Sequence, residues 1–336
     1  MESKAIKVSI LIAARNEETN IINCLQSIAA LESERATWEV WVGNDGSEDR
    51  TEALVREFIA DKPNFHLVNI EGQIDGLKGK TNVLVQLEKQ AIPYSNPDYL
   101  MYTDADIQVP SSWVESMLPK ENEPAECMIT GATTVTEGKL FHRLQGLDWL
   151  IALFFISQAS KRGNPPTALG NNMLVHTQTY LKVGGYTAIK HTPVEDYALC
   201  QLFKKNGFKV IHRYSRETLC ITEPCLSWKE LFKQRRRWMH GALETPLWIR
   251  GILISNSFAL LALLVGMAFY PLLTIAAWAT RILFLWASQY WIHRSLALKV
   301  RPLDFAAFDF YLLYFNFSLL IYYLFTPKVK WKGRTF

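Results

Sequence analysis

Asp104 and Asp106 stand one residue apart at the end of an apolar run, Tyr99-Leu-Met-Tyr-Thr-Asp-Ala-Asp-Ile107. Hard divalent cations take carboxylate oxygens, so two acids at this spacing can share one Mn2+ or Mg2+. The same spacing arises in surface turns with two solvated acids, and the pair alone does not separate the two. A second acidic pair, Glu195 and Asp196, lies in Pro193-Val-Glu-Asp-Tyr-Ala-Leu199 and opens a helix of about ten residues. Acids are favoured in a first helical turn by the helix dipole. A carboxylate there can equally be a general base for an attacking hydroxyl. A third constellation lies in Trp228-Lys-Glu-Leu-Phe-Lys-Gln-Arg-Arg-Arg-Trp238. Gln234, Arg237 and Trp238 are three and four residues apart, so one helix face carries an amide, a guanidinium and an indole. Arg235 and Arg236 point elsewhere and, with Arg250, suit attraction to anionic lipid. So few basic residues argue against a nucleic-acid surface.

The elements that must position these groups are legible from hydrophobic pattern. Residues 6–13 are a mostly apolar strand followed by the polar Ala14-Arg-Asn-Glu-Glu18. Thr19 or Asn20 can cap the helix outlined by Ile21, Ile22, Leu25 and Ile28. Trp38–Gly43 is a second strand, breaking into the turn Asn44-Asp-Gly-Ser47, and Asp49 can cap a helix over 50–60. Phe65–Ile70 is a third strand, and Gly79-Lys-Thr-Asn-Val-Leu84 starts the next helix. This alternation predicts an α/β fold with a doubly wound, mainly parallel sheet. Its shared carboxyl edge gathers Asn16, Glu17, Asp45, Lys80, Asp104 and Asp106 in one crevice suited to a nucleotide. Gly72, Gly76 and Gly79 match neither a Walker A nor a dinucleotide fingerprint. Further on, the pattern predicts a strand over 126–136 and a buried or interfacial helix over 140–160. A strand over 170–176 and a turn at Val183-Gly-Gly-Tyr186 follow.

The 336 residues carry a net charge of only +4, which disfavours a nucleic-acid partner. Five cysteines, at 24, 127, 200, 220 and 225, lack metal-ligand spacing. From Ile252 to Ile292 the one charge is Arg281. A helix of that length would reach about 60 Å, twice a bilayer core, so it reads as two spans bent near Pro271. Phe305–Phe325 is a third apolar stretch, interrupted by Asp309. If all three cross, the basic loop 294–301 and the basic tail 328–334 fall on opposite sides, in conflict with the positive-inside rule, unless one segment is re-entrant. The run after Met1 has no signal-peptide pattern, so the soluble part is expected to face the cytoplasm from an inner or plasma membrane.

Eight short motifs stand in order: Ala14-Arg-Asn-Glu-Glu18, Asn44-Asp-Gly-Ser47, Lys78-Gly-Lys80, Thr103-Asp-Ala-Asp106, Gly170-Asn-Asn-Met173, Val183-Gly-Gly-Tyr186, Glu195-Asp196 and Gln234-Arg-Arg-Arg-Trp238. Together, ahead of a membrane segment, they resemble the family 2 inverting glycosyltransferases. The resemblance is to the membrane-bound branch with cellulose and hyaluronan synthases and ceramide glucosyltransferase. It covers about Val8 to Trp238 and implies a GT-A type, single nucleotide-sugar-binding α/β domain. By position, it implies Glu17 and Asp45 near the uracil and Lys80 near the phosphates. Asp104 and Asp106 would hold ribose and Mn2+ or Mg2+, and Asp196, beside Glu195, would be the catalytic base. Gln234, Arg237 and Trp238 would close over the diphosphate and acceptor. Two departures stand out. Asn44 replaces an acid common in the family, and the polymer synthases' N-terminal spans have no counterpart in this sequence.

The expected organisation is a cytoplasmic glycosyltransferase domain over 1–226, amphipathic interface helices over 227–250, two or three transmembrane helices over 251–326, and a basic tail over 327–336. The expected activity is metal-dependent, inverting transfer of a hexose from a UDP-sugar to a lipid, a lipid-linked glycan or another membrane-embedded hydroxyl acceptor. The alternatives are a subunit of a processive polysaccharide synthase and an inactive protein that binds a nucleotide sugar at the bilayer. A nucleotidyltransferase would need a Gly-rich loop near the N-terminus, and residues 13–20 contain no Gly.

Overall fold

The computed structural model describes residues 5–74, 76–163, 165–189, 192, 194–242 and 247–325, and the backbone of 330–331 and 334–335. Pro193 and most of the predicted basic tail lie outside the described residues. The chain divides into two units, residues 1–134 with 156–223, and residues 135–155 with 224–336. The sequence reading draws its boundary at 226, whereas 135–155 groups with the C-terminal helices.

The first unit begins β1 (Ile6–Ala14), α1 (Ile21–Ala29), β2 (Ala36–Asn44), α2 (Thr51–Ile59), β3 (Phe65–Asn69), α3 (Lys80–Ser95) and β4 (Tyr99–Asp104). The short β5 (Ile107–Gln108), α4 (Trp113–Met117), β6 (Cys127–Thr130) and β7 (Ala132–Val135) follow. After α5 (Leu140–Lys161), which begins among residues of the second unit, come β8 (Asn172–His176), α6 (Thr177–Val183), α7 (Glu195–Lys205), β9 (Lys209–His212) and β10 (Leu219–Thr222). Seven strands form one mixed sheet in the order β3-β2-β1-β4-β8-β6-β9. β1 to β4 are parallel, and β8 runs antiparallel to both β4 and β6.

Period-2 alternation places the two faces of the sheet against different helices. Val8, Ile10, Ile12 and Ala14 of β1 pack with α1 residues Ile21, Leu25 and Ile28, while Leu11 packs on the other face with α3 residues Val83, Leu84 and Leu87. All but Val8, Ala14 and Val83 of these are fully buried. Truncating one such Leu or Ile to Ala costs about 2–5 kcal/mol. The predicted strand over 126–136 is interrupted at Gly131. β6 joins the large sheet, and β7 joins β5 and β10 in a three-stranded one. Asn172 anchors this divergence: its amide donates to Ala132 O (2.7 Å) and Thr218 O (2.9 Å), and its Oδ1 accepts from Trp113 Nε1 (2.9 Å).

The second unit contains the start of α5 with α8 (Trp228–Ala242), α9 (Leu247–Phe269), α10 (Pro271–Ser295) and α11 (Pro302–Phe325). Arg250–Phe269, Pro271–Ser295 and Pro302–Phe325 are each long and apolar enough to cross a membrane. The predicted bend near Pro271 is a break at Tyr270, with Pro at the first helical position, where its missing N–H costs nothing. One polar cluster ties the three helices. Asp309 of α11 accepts from Arg281 Nε (2.6 Å) and Trp278 Nε1 (2.7 Å) of α10, and Arg281 reaches Asn256 of α9 (3.2 Å). Arg143 of α5 pairs bidentately with Asp304 of α11 at 2.6 and 2.9 Å.

Two arginines depart from their expected role as lipid-facing charges. Arg235 lies 2.7 Å from Asp148 and stacks over Trp238, with its guanidinium carbon 4.4 Å from the ring centroid. Arg236 is 6% exposed and sits over Tyr322 and Tyr323. A guanidinium that packs on aromatic faces inside a helix cluster is held by cation–π and ion-pair contacts rather than by headgroups.

Candidate functional site

The carboxyl ends of β1, β2 and β4 finish level, with Ala13 opposite Asp104 and Ala14 opposite Asn44. Strand ends that align in this way present their following loops along one edge. Asn16 takes a left-handed φ of 54° in the loop after β1, and its Oδ1 accepts from Glu48 N (2.8 Å) in the loop after β2. The two loops are thus locked together. Arg15 Nη1 lies 3.6 Å from Asp45 Oδ2. Glu17 accepts from the side chain of Asn20 (3.2 Å), so Asn20 opens α1 without capping it through its side chain. Asp49 accepts from Thr51 N (3.0 Å), but the N-cap position of α2 is Arg50, which makes no side-chain cap.

The Asn44 departure has a local cause. Its buried amide donates to Glu52 Oε2 (3.1 Å) and Asn69 Oδ1 (3.0 Å), and its Oδ1 accepts from Ser47 N (3.1 Å). An Asp here would set one carboxylate against another, a repulsion the amide avoids. Asn44 therefore holds the turn that carries Asp45.

Lys80, the first residue of α3, is the hub of the acidic side of the site. Its ammonium pairs closely with Asp104, donates to Gly170 O (3.3 Å) and lies 3.9 Å from Glu195 Oε1. Burial alone would lower its pKa, but Asp104, Glu195 and Asp196 outweigh burial and hold it above the ordinary lysine value. Gly170 also donates its N–H to Asp196 Oδ2 (3.0 Å), and Asp196 Oδ1 accepts from Tyr197 N (2.8 Å). These two donors fix the plane of the carboxylate and leave each oxygen a further lone pair. Asp106 Oδ2 accepts from Thr222 Oγ1 (3.2 Å) of β10. Below the pair, the Cys24 thiol points at Asp104 O (3.6 Å), and burial pushes its pKa up, so it is not a thiolate ligand.

The fold therefore brings Lys80, Asp104, Glu195 and Asp196 together, with Asp45 and Glu17 on neighbouring loops of the same sheet edge. Two contributors were not singled out by sequence. Gly170 acts through its backbone, and Thr222 supplies one hydroxyl. The only signal for Gly170 was its place in the Gly-Asn-Asn-Met motif. Among the described residues no group of three His, Cys, Asp or Glu forms a ready metal cage. The carboxylates of Asp104 and Asp106 are hard oxygen donors of the kind a divalent cation takes. Gln234, Arg237 and Trp238 lie on α8 of the second unit, where the Trp238 ring meets Trp149 edge-on at 4.9 Å.

The sheet order is that of a mixed α/β fold of the GT-A type, followed, among the described residues, by three helices long and apolar enough to cross a membrane. The sequence matches glycosyl transferase family 21 over residues 2–336, and the chain belongs to that family. Among curated proteins, it is similar to the beta-monoglucosyldiacylglycerol synthase of Trichormus variabilis, 23% identical over 257 residues, covering 74% of this chain and 52% of the relative. The Synechocystis protein of the same name is 25% identical over 290 residues, covering 82% and 58%. The poly-beta-1,6-N-acetyl-D-glucosamine synthase of Staphylococcus epidermidis is 25% identical over 242 residues, covering 71% and 55%. The chain thus spans about half the length of these relatives. Among solved structures, the mannosyltransferase PcManGT from Pyrobaculum calidifontis, in complex with GDP-Man and Mn2+, shares the fold. It has a TM-score of 0.59 at 17% identity over 96% of this chain and 88% of that one.

Proposed function

We propose that this glycosyltransferase moves a hexose from a UDP-sugar to a hydroxyl of a membrane lipid or lipid-linked glycan, with inversion at the anomeric carbon. The observation that carries this reading is the Lys80 hub, which gathers Asp104, Glu195 and, through Gly170, Asp196 at one strand edge. Asp196 takes the proton of the acceptor hydroxyl as that oxygen attacks the anomeric carbon. The bond from that carbon to the diphosphate breaks on the opposite side, and UDP leaves. Lys80 offers its charge to the departing diphosphate. A divalent cation held by Asp104 and Asp106 would supply further neutralisation of that charge. Glu17 and Asp45 contact the uracil. Gln234, Arg237 and Trp238 close over the diphosphate and acceptor, a role supported by motif order ahead of the membrane helices. In this reading the catalytic domain faces the cytoplasm and the three apolar helices cross the bilayer.

The lipid acceptor is supported by the names of the first relatives, which are synthases of a glucosylated diacylglycerol. A processive synthase is the second reading, favoured by the likeness to a poly-N-acetylglucosamine synthase. GDP-mannose in the structural neighbour makes nucleotide identity an experimental variable. The deciding experiment incubates the full chain, in vesicles containing diacylglycerol, with radiolabelled UDP- and GDP-sugars. A glycolipid with one or a few sugars, formed from a UDP-sugar, is expected. A long polymer would favour the second reading, and exclusive use of GDP-sugars would overturn the UDP assignment.

A further inference from the structure

Glu88 lies in α3 on the sheet face away from α1, is 5% exposed, and takes no part in the chemistry above. Its carboxyl accepts from Tyr102 OH (2.9 Å) and from Tyr180 OH (3.0 and 2.9 Å). Tyr180 OH in turn accepts from Tyr186 N (2.8 Å). The three phenol rings pack with centroids 5.8 to 6.4 Å apart. Each phenol belongs to a different part of the site's frame. Tyr102 is on β4, two residues before Asp104 and so on the same strand face. Tyr180 is on α6. Tyr186 begins the segment that leads into α7 and lines one small cavity with Thr192 and Glu195.

The network also accounts for the Val183-Gly-Gly-Tyr186 motif. Gly184 and Gly185 have φ of 86° and 52°, and a Cβ on Gly185 would fall 2.2 Å from Tyr180 Cζ. The chain can fold tightly over the Tyr180 ring only because both residues lack a side chain. Buried polar groups are often matched in stability by apolar packing of the same volume. What hydrogen bonds add here is direction, since the Tyr102 and Tyr180 hydroxyls must both point at one carboxyl.

We propose that Glu88 is a positioning residue that sets, through Tyr102 and Tyr180, the placement of the Asp104 strand end relative to the segment carrying Glu195 and Asp196. It touches neither donor nor acceptor and acts by holding the donor side and the base side in register. Small displacements between reacting groups cost rate more than binding.

The test uses the full chain in vesicles containing diacylglycerol, with UDP-glucose as donor and UDP as the binding probe. Tyr180→Phe, Tyr102→Phe, Glu88→Leu and Glu88→Gln are compared below their melting temperatures. Tyr180→Phe and Glu88→Leu are expected to lower kcat about tenfold or more while UDP affinity stays within about twofold. Glu88→Gln, whose amide oxygen can accept both phenols, is expected to keep kcat within about threefold. The two Phe variants combined are expected to lose less than the product of their separate effects, because both act through one carboxyl. Unchanged kcat in Tyr180→Phe, loss of UDP affinity in step with kcat, a Gln variant as impaired as the Leu variant, or multiplicative Phe effects would each overturn the proposal. Tyr180→Phe removes one oxygen only, so the test survives a Leu variant that does not fold. The inference rests on Asp196 as base. Full activity in Asp196→Asn would remove that reading, whereas unchanged Tyr180→Phe beside an inactive Asp196→Asn removes only this one.

Discussion

The Gly170 N–H donates to Asp196 Oδ2 at 3.0 Å, and a Cβ on Gly170 would stand 3.1 Å from the Asp196 Cβ. The backbone thus both orients the carboxylate and leaves no slack beside it. Gly170→Ala is expected to push Asp196 by a few tenths of an ångström and to lower turnover about tenfold, with small loss of stability. Steady-state kinetics together with a melting curve check this. Turnover equal to wild type would show that the close approach has no catalytic consequence.

Asp196→Asn keeps the shape of the side chain and removes the carboxylate proposed as proton acceptor. Donor binding should persist, while turnover should fall by about 10²–10⁴, the usual range for a general base. Isothermal titration with UDP and product counting measure the two separately. Near-normal turnover would assign the base elsewhere, with Glu195 the next carboxylate to test.

Activity is expected to depend on Mn2+ or Mg2+, since Asp104 and Asp106 offer hard oxygen donors at one strand end. Asp106→Asn should raise the metal concentration needed for half-maximal activity. Thr222→Val should do so more weakly, because it removes only the hydroxyl that orients Asp106. Full activity in excess EDTA would remove the metal role of both acids.

Burial raises the pKa of Glu88 from 4.5 to about 8, with the Tyr180 and Tyr102 hydroxyls pulling the other way. Between these values the native state retains a proton that the unfolded chain releases. Stability from this group therefore falls as pH rises through that window. Glu88→Gln cannot titrate, so its melting temperature should gain on wild type from pH 5 to pH 8. Parallel melting curves across that range would reject the assignment.

Arg281 and Asp309 are an ion pair inside segments long enough to span a bilayer. Asp309→Asn or Arg281→Leu alone should destabilise the chain in detergent by about 3–5 kcal/mol, because each leaves a partner uncompensated. The double variant should lose less than either single one, and thermal melts of all three measure the difference. Additive losses would show that the two residues act separately.

Much of the fold was legible because its signals are local. Apolar runs marked β1 to β4, helical spacing marked α1, and an uncharged stretch marked the apolar helices. The shared sheet edge followed from alternation of strand and helix. The split at Gly131 was not legible, since 126–136 is one continuous β-like run and only the pairing partners separate it. Arg235 and Arg236 were misplaced for a related reason. Spacing gives the helix face of a residue, but Asp148 and Tyr322, which hold them, lie on other helices.

By itself the sequence determined the residue types of the site, their order, and the strand ends and helix starts that carry them. Those follow from periodicity and turn chemistry within some ten residues. Only the tertiary structure decided which groups meet: Lys80 with Asp104, Gly170 with Asp196, and Glu88 with two phenols from other elements. Such pairings are set by how α3, α6 and α7 pack on one sheet face. That packing depends on shape and burial summed over residues distant in the chain.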